Sequence, residues 1–339
     1  MEFIGVGDLH LDGKLSKYIP NLNEVILNEV RTGPIRHAER NGINLVVFYG
    51  DICDIPHMST EATIGLIRMF TDHPRIKFLL ITGNHDMEYA GKHSLLLIKE
   101  LCDKGALQNV RIFDQPTTLF RKQGTPLRLL PWPSFELEED ALNVIHVEVN
   151  GSQWDHGKAV ESERESELFC VGGHLHTKQR VRNIHYSGTL YQTSFGEKPD
   201  KYFHHVKLAE GEEPVIELIP HKPKYTLHNL VVSSPEDLAK VVQNQYNLYK
   251  VFVKSGADIS AESLQNYPNV VKINAFKNRK ELMSLLSEEL LMQDTEVTVN
   301  DFTVMEALQR WMVRANIKER TAERAVKVLQ DLLSNSKES

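Results

Sequence analysis

The chain has 339 residues and a formal net charge of −7 at pH 7, with a pI near 6.1. This length accommodates about two domains. The acidic balance argues against a protein that binds nucleic acid through its own overall basic charge. Any such binding would need a local basic patch, bound metal cations or another chain.

No apolar run reaches the length of a membrane span, and the start lacks the pattern of a secretory signal. Cys53, Cys102 and Cys170 are isolated and odd in number. They argue against a disulfide framework and favour a reducing compartment. We therefore expect a cytoplasmic protein with no membrane partner, whose cysteines fill buried positions.

The opening segment MEFIGVGDLHLDGK reads as a short apolar strand followed by a turn. A dinucleotide fingerprint needs a third glycine where this chain has His10, and a P-loop needs a hydroxyl where it has Leu15. Asp8 and His10 are separated by one residue, so an extended chain points both side chains to one side. An oxygen and an imidazole nitrogen side by side suit a divalent cation, although such a triplet alone is often incidental.

Two further apolar runs, 43–49 and 76–81, end at Gly50-Asp51 and at Gly83-Asn84-His85-Asp86. Helical patterns at 62–70 and 94–101 are interspersed with these strands. Alternation of strands and helices predicts parallel pairing with helices outside. Functional residues in such sheets collect at the carboxyl ends of the strands, which is where these acids, amide and histidine fall.

The next part predicts shorter strands at 127–130, 143–149, 168–171 and 183–186, without long helices between them. We expect these strands to be more antiparallel and to face the first half in a layered sandwich. Two further histidine segments occur here. His146 follows Val144-Ile145, and His174-Leu175-His176 follows Gly172-Gly173.

A composition change near residues 214–224 predicts a linker at Pro220-His221-Lys222-Pro223-Lys224. Segments 227–232, 248–253 and 269–276, with a helix opening at 234–236, predict a small α+β unit. The chain after residue 278 is mostly helical in pattern. Its two amphipathic helices, beginning near Thr303 and Ala322, either pack on their own domain or dock a partner.

Five separated segments thus supply groups that bind metals. Any one of these histidines is more often structural, but all five segments follow predicted strands. Two cations held close together need about this many ligands, with a carboxylate bridging them. The neighbouring glycines let the backbone approach the metals without a Cβ clash. The sequence therefore predicts a site for a pair of divalent metal ions.

The motifs G-D-x-H, G-D-x-x-D (residues 50–54), G-N-H-D and G-G-H-L-H, with a histidine at the end of one strand, resemble the calcineurin-like metallophosphoesterases. The segments L-P-W-P (130–133) and Y-S-G-T-L through F-G-E (186–197) resemble the SbcD-type nuclease subunits of this superfamily, with a bacteriophage version among the possibilities. The resemblance implies an α/β fold: a two-sheet β-sandwich flanked by helices. It further implies a nuclease domain (1–212), a DNA-capping domain (213–277) and a helical ATPase-binding region (278–339).

The resemblance also implies the ligand set. One metal would be held by Asp8, His10, Asp51 and His176, and the second by Asp51, Asn84, His146 and His174, with Asp51 bridging. His85 would stabilise the transition state or protonate the leaving oxygen, and Asp86 would orient His85. The mixed nitrogen and oxygen ligands admit manganese, magnesium, iron or zinc, and the resemblance favours Mn²⁺.

The expected function is a dimetal exonuclease or endonuclease that hydrolyses double-stranded DNA in recombination, repair or replication. The expected partner is an SbcC/Rad50-like coiled-coil ATPase, with the chain as a homodimer within a heterotetramer in the cytoplasm, the bacterial host's if phage-encoded. Lys178, Arg180 and Arg182 form the best local basic cluster for DNA, or else a solvated strand edge. The alternatives are a phosphomonoesterase or cyclic-nucleotide phosphodiesterase of the same superfamily, and a non-catalytic scaffold.

Overall fold

The computed structural model describes residues 1–88, 92–120, 124–155, 157–259, 263–264 and 266–291. The strands are β1 (Glu2–Val6), β2 (Leu45–Phe48), β3 (Lys77–Ile81), β4 (Val110–Phe113), β5 (Thr117–Leu119), β6 (Leu127–Leu130), β7 (Leu142–Ile145), β8 (Cys170–Gly172), β9 (Gln179–Val181), β10 (Ile184–Tyr186), β11 (Lys201–Lys207), β12 (Val215–His221), β13 (Thr226–Val232), β14 (Asn247–Lys254) and β15 (Val270–Phe276).

The α-helices are α1 (Leu22–Val30), α2 (Arg36–Arg40), α3 (Thr60–Asp72), α4 (Leu96–Asp103) and α5 (Arg279–Leu291), with a π-helical turn, Arg31–Ile35, joining α1 to α2. Short 3₁₀ helices cover Lys14–Lys17 and Pro235–Lys240. Among the described residues, no helix combines the length and apolarity needed to cross a lipid bilayer.

The first sheet has the order β12–β11–β1–β2–β3–β4. Strands β1 to β4 are parallel to one another, whereas β11 pairs antiparallel to both β1 and β12. The parallel strands are almost wholly buried, because alternate side chains enter different cores. For example, Phe78 and Leu80 of β3 pack with the helices, while Leu79 and Ile81 pack towards the second sheet. This arrangement confirms the predicted strand and helix alternation.

The second sheet has the order β5–β6–β7–β8–β10–β9. The expectation that it is mostly antiparallel is wrong, because β6, β7, β8 and β10 are parallel and only β5 and β9 run antiparallel to their neighbours. The crossovers between the parallel strands are largely irregular chain rather than helices, so the sequence carries no helical periodicity to reveal them. The two sheets share a buried apolar core, which confirms the two-sheet sandwich.

A third, parallel sheet, β13–β14–β15, forms the small unit. Leu227 and Leu248 of this sheet join the core that the helices form with the first sheet. A capping box at Ser234 opens the predicted helix, which is a short 3₁₀ helix.

The boundary predicted between residues 212 and 213 requires correction. β11 and β12 are paired along their whole length, from Lys201↔His221 to Lys207↔Val215, so the sandwich extends through His221. Of the predicted helical region, α5 is described, whereas residues 292–339 lie outside the described residues.

Candidate metal centre

The strand topology brings the predicted ligands to one end of the sandwich. Strands β1, β2 and β3 are parallel neighbours, so the residues that follow them lie at one edge of the first sheet. Strands β7 and β8 are likewise parallel, and their following residues lie at one edge of the second sheet. Seven residues meet at this end: Asp8, His10, Asp51, Asn84, His146, His174 and His176.

One half of the site is formed by Asp8, His10 and His176, whose ligand atoms lie within 4.8 Å of one another. The two Nε2 atoms of His10 and His176 are 3.0 Å apart. Asp8 Oδ2 lies 3.9 Å from His176 Nε2, and its carboxylate accepts hydrogen bonds from the backbone N–H of His174. These contacts fix the Asp8 carboxylate between the two sheets.

The other half contains Asp51, Asn84, His146 and His174. His146 Nε2 lies 3.1 Å from Asp51 Oδ2 and 3.0 Å from Asn84 Oδ1, and His174 Nδ1 lies 3.1 Å from the same Asn84 oxygen. Asp51 Oδ2 is also 3.9 Å from His10 Nε2. The carboxylate of Asp51 therefore lies between the two halves, where a bridging ligand is required.

The outward-facing nitrogen of each ligand histidine meets an oxygen atom. His146 Nδ1 donates to the backbone carbonyl of Tyr49 at 2.5 Å, and His10 Nδ1 lies 3.0 Å from Asp54 Oδ1. His174 Nε2 lies 3.2 Å from Glu148 Oε2, and His176 Nδ1 lies 3.2 Å from Glu197 Oε1. Such oxygen partners keep the proton on the outer nitrogen and aim a lone pair inward.

The inward-facing atoms fit a pair of divalent cations. With the outer nitrogens protonated, His146 Nε2 is an acceptor that faces two further acceptors, Asp51 Oδ2 and Asn84 Oδ1, at 3.1 and 3.0 Å. The Nε2 atoms of His10 and His176 face each other in the same way. Acceptors this close repel one another unless a proton or a metal cation lies between them. Octahedral ligands at about 2.1 Å from a cation are themselves about 3 Å apart, which matches these separations.

The protonation of the site follows the same logic. Burial lowers the pKa of His146, but the negative charges of Asp51 and Asp8 raise it to about 10. Burial raises the pKa of Asp51, yet His146 and His85 hold it well below its usual range. Burial also lowers the pKa of His176, and Asp155 and Glu197 raise it to about 10. Protons therefore neutralise this cluster of acids without metal, and metal binding releases them.

Two glycines permit the close approach of the ligand loops. A Cβ at Gly83 would lie 2.1 Å from Asp51 Oδ1, and a Cβ at Gly173 would lie 2.3 Å from Asp8 Oδ1. Both distances are well inside van der Waals contact, so only glycine fits. This confirms the expectation that the glycines make room for the site.

Three ligand residues have a left-handed backbone, with φ of +49° at His10, +47° at Asp51 and +83° at His174. Non-glycine residues in this region cost of order 1–3 kcal/mol, and they cluster at functional sites. The Asp51 carbonyl accepts hydrogen bonds from the backbone N–H groups of Leu9 and His10 at 2.9 and 3.0 Å. These bonds connect the first two ligand loops and hold the strained turns in place.

His85 lies at the rim of the site, with its side chain 30% exposed. Its ring is 4.9 Å from that of His10, and its backbone N–H donates to Asp51 Oδ1 at 2.9 Å. Its Nδ1 donates to the Asp54 carbonyl at 3.1 Å and lies 3.6 Å from Asp54 Oδ1. These contacts orient the ring and leave Nε2 as its remaining polar atom.

The predicted role of Asp86 in orienting His85 requires correction. The buried carboxylate of Asp86 accepts hydrogen bonds from three backbone N–H groups and the Ser94 hydroxyl. It therefore braces the turn that carries Asn84 against the turn after β2. The carboxylate that faces His85 is instead that of Asp54. Burial raises the pKa of Asp54, but its contact with His10 holds the pKa below the usual value.

The predicted basic cluster does not form one open patch. Arg182 lies 3.2 Å from both Glu165 and Glu167, so its charge is largely balanced. Arg180 donates to the Arg182 carbonyl at 2.7 Å. Both arginines therefore have local structural contacts, as expected for a solvated strand edge.

Lys178 is different, because it lines a pocket beside the metal centre. Its ammonium group lies 3.6 Å above the Tyr202 ring. The pocket has a volume of about 130 Å³. Its lining residues are His176, Thr177, Lys178, Lys198, Asp200 and Lys201.

Sequence reasoning missed the residues that hold the ligands from outside. Asp54 was visible as the last residue of G-D-x-x-D, and Glu197 as the last residue of F-G-E, but neither spacing revealed which histidine it would meet. Glu148 stands two residues after His146 and yet contacts His174. Asp155, in a loop, carries no sequence signal for its approach to His176 at 3.3 Å.

Comparison with known proteins agrees with this geometry. The sequence profile of the calcineurin-like phosphoesterases matches residues 1–258. The chain belongs to the calcineurin-like phosphoesterase family. It is also 27% identical over 218 residues to exonuclease subunit 1 of Enterobacteria phage T4, an alignment that covers 59% of this chain and 62% of that relative. The chain therefore aligns with less than two thirds of the length of that relative.

Members of this family are phosphoesterases with a dimetal centre, and the clustered ligands of this chain agree with such a centre. Of the three free cysteines, Cys53 and Cys170 are buried as expected, whereas Cys102 is partly exposed.

Proposed function

We propose that the chain is the nuclease subunit of an SbcD-type complex and hydrolyses phosphodiester bonds of double-stranded DNA. The observation that carries the proposal is the convergence of the seven ligand residues, with Asp51 between the two halves of the site and His85 at the open rim. Similarity to a phage exonuclease subunit supports a nucleic-acid substrate. The Y-S-G-T and F-G-E segments support the same subfamily.

A pair of divalent cations, when bound by these residues, supplies a nucleophilic oxygen near neutral pH and offsets charge on the phosphate. The residues of the chain supply the rest. Asp51 and Asn84 would help to hold the cations, with Asp51 between the two halves of the site. His85 faces the rim, and its Nδ1–H donates to the Asp54 carbonyl. In the imidazolium form, Nε2–H is therefore the group that donates a hydrogen bond or proton to the leaving oxygen.

We assign the pocket beside His176 to the DNA backbone. Lys178 and Lys198 line it, and lysine ammonium groups bind phosphate as point charges. Of the three basic residues predicted to bind DNA, Lys178 has the position for this role, whereas Arg182 is balanced by two glutamates. Replacing Lys178 and Lys198 with alanine should weaken DNA binding and reduce its salt dependence.

The partners follow from the same proposal. An SbcC-like coiled-coil ATPase would bind the helical region that begins at α5, and two copies of each chain would form a heterotetramer acting in recombination or repair. The mixed imidazole, carboxylate and amide ligands admit several divalent metals, and we propose Mn²⁺ because the resemblance to the SbcD-type nucleases favours it. Removal of the residues after Asn300 should preserve manganese-dependent cleavage but weaken co-purification with the ATPase. Undiminished co-purification would exclude this docking region.

The test is digestion of end-labelled duplex DNA with added Mn²⁺, compared with hydrolysis of p-nitrophenyl phosphate. We expect cleavage of DNA that EDTA stops, and loss of cleavage in Asp8→Ala, Asp51→Ala and His85→Ala. The His85 variant should still bind two ions. Rapid hydrolysis of the monoester with no DNA cleavage would identify a small-substrate phosphatase, and two bound ions with neither activity would identify a scaffold.

A matched control separates the role of His85 from general loss of a histidine. His73 lies outside the site at the end of α3, where its ring contacts Glu39 at 3.2 Å. His73→Ala should therefore cut DNA at the parental rate. A His85→Ala protein that also cut at the parental rate would contradict the role assigned to His85.

A further inference from the structure

A buried ion pair stands directly behind one of the metal ligands. Lys201 Nζ lies 2.5 Å from Glu197 Oε2, and the two side chains are only 3% and 0% exposed. The other carboxylate oxygen of Glu197 lies 3.2 Å from His176 Nδ1. Lys201, Glu197 and His176 thus form a continuous chain of contacts that leads into the metal centre.

The surroundings fix the orientation of this glutamate. The Thr193 backbone N–H donates to Glu197 Oε1 at 3.1 Å, and Lys201 Nζ also donates to the Thr189 hydroxyl at 2.8 Å. Each carboxylate oxygen therefore has its own donors. A glutamate held at both oxygens has little freedom to rotate away from His176.

The burial of this pair is costly if its only purpose is stability. A buried salt bridge is often no more stabilising than apolar side chains of the same volume, because both charges lose their hydration. Here Glu197 Oε1 faces His176 Nδ1, and the other ring nitrogen of His176, Nε2, faces the metal centre. That direction indicates a role at the metal centre.

We propose that Glu197, locked by Lys201, is a positioning residue that holds His176 in the tautomer and orientation needed to bind the first metal ion. The Nδ1–H of His176 donates to Glu197, which leaves the Nε2 lone pair directed at Asp8 and His10. Carboxylate partners of this kind also increase the basicity of the ligand nitrogen. The proposal rests on the dimetal function proposed above.

Asp155 is a second oxygen partner of the same nitrogen, at 3.3 Å. Its carboxylate also accepts a hydrogen bond from the Thr177 hydroxyl at 2.7 Å, but among the described residues Lys201 forms its ion pair with Glu197 rather than with Asp155. We therefore assign the main positioning role to Glu197.

The decisive variant is Glu197→Gln. An amide has one acceptor oxygen, whereas the carboxylate serves both Lys201 and His176, so one of these donors must meet the NH₂ group. Titration of the metal-free full-length protein with MnCl₂ by calorimetry should show two sites in the parent. In the variant, one of them should weaken by about 10- to 100-fold, and the Mn²⁺ concentration for half-maximal cleavage should rise with little change in the rate at saturating metal.

The matched control is Glu165→Gln, which removes a carboxylate paired with Arg182 at an exposed position. It should leave both Mn²⁺ affinities unchanged. Glu197→Gln leaves the buried ammonium group of Lys201 without its negative partner, which can prevent folding. In that case the double variant Glu197→Gln/Lys201→Met is used, because it also removes the buried positive charge. The double variant should fold and still bind one Mn²⁺ ion more weakly than the parent, since a neutral amide is the poorer partner for His176.

Parental affinity at both Mn²⁺ sites in the folded single variant, or in the double variant, would overturn the proposal even if thermal stability fell. Calorimetry without DNA keeps this outcome separate from the proposed function. A parent that binds two ions but cuts no DNA refutes the nuclease assignment alone. A parent that cuts DNA beside a Glu197→Gln protein of unchanged affinity refutes the positioning role alone.

Discussion

The substitution Gly83→Ala tests how tightly the metal ligands are confined. A Cβ at this position would lie 2.1 Å from Asp51 Oδ1, 2.4 Å from the Asp51 backbone nitrogen and 2.6 Å from His146 Nε2. Ordinary contacts of a Cβ are 3.4–4 Å, so the bridging carboxylate would have to move by roughly 1 Å. A displacement of this size costs about 100-fold in rate when it misplaces reacting groups.

We therefore expect Gly83→Ala to lose about 100-fold in the Mn²⁺-dependent hydrolysis of bis(p-nitrophenyl) phosphate and of duplex DNA. Overpacking of this kind also costs about 1–3 kcal/mol of unfolding free energy, measured by denaturant unfolding of the metal-free protein. Calorimetry should show weaker binding of both ions, because Asp51 contributes to both halves of the site.

Gly105→Ala is the control that separates site geometry from stability. Gly105 has φ of +76° and open space where a Cβ would go, so alanine there adds backbone strain of about 1–2 kcal/mol without touching the site. It should be less stable than the parent yet bind metal and cleave DNA normally. A Gly83→Ala protein with parental rate and parental Mn²⁺ affinity would refute the reasoning.

Three further results are expected. Asp54→Ala removes the carboxylate 3.0 Å from His10 Nδ1 and should weaken Mn²⁺ affinity or activity by about 10- to 100-fold, whereas unchanged metal titration would contradict this contact. Burial lowers the pKa of His204 to about 3. Below pH 6.5, His204 is therefore protonated in the unfolded chain but remains neutral in the folded chain. Stability should therefore fall as the pH decreases from 6.5 towards 3, by at most about 1.4 kcal/mol per pH unit. His204→Gln should flatten the dependence of unfolding free energy on pH between 6 and 4.5, and an equally steep dependence would exclude the assignment. Arg182→Ala should leave DNA affinity nearly unchanged, because Glu165 and Glu167 balance the charge of Arg182. If a filter-binding assay showed a loss of DNA affinity as large as that of Lys178→Ala, Arg182 would belong to the DNA-binding surface.

A simple topological rule predicted that the ligand segments would lie together, whereas the assignment of ligands to two metals came from the family resemblance. Apolar runs that end in Gly50-Asp51 and Gly83-Asn84 mark parallel strands, and parallel neighbours present their carboxyl ends at one edge. The same rule applied to His146, although β7 and β8 were not expected to be parallel. Each of the five ligand segments followed its own strand, so an error in strand direction did not change which residues were named.

The contacts behind the ligands could not be read from the sequence. Asp86 is adjacent to His85, yet the tight turn after Gly83 directs its carboxylate to backbone N–H groups instead. Asp54 is distant in sequence and reaches His85 because the β2 loop folds over the β3 loop. Proximity in sequence therefore does not determine whether Asp54 or Asp86 faces the His85 ring, because both acids lie in tight turns.

The domain boundary failed for a related reason. The predicted linker begins at Pro220, within the strand Val215–His221, in which no residue is fully buried. The backbone of this strand nevertheless pairs with all of β11. An edge strand has a hydrogen-bonded neighbour on one side only, so it tolerates proline at a position where no backbone N–H is needed for that pairing. Pairing along an edge leaves little trace in the side chains.

The most direct test of the central claim is anomalous diffraction from a crystal soaked in MnCl₂. We predict two manganese peaks about 3.5–4 Å apart, with Asp51 between them. One peak should lie beside Asp8, His10 and His176, and the other beside Asn84, His146 and His174. Peaks elsewhere, or no peak among these side chains at saturating Mn²⁺, would contradict it.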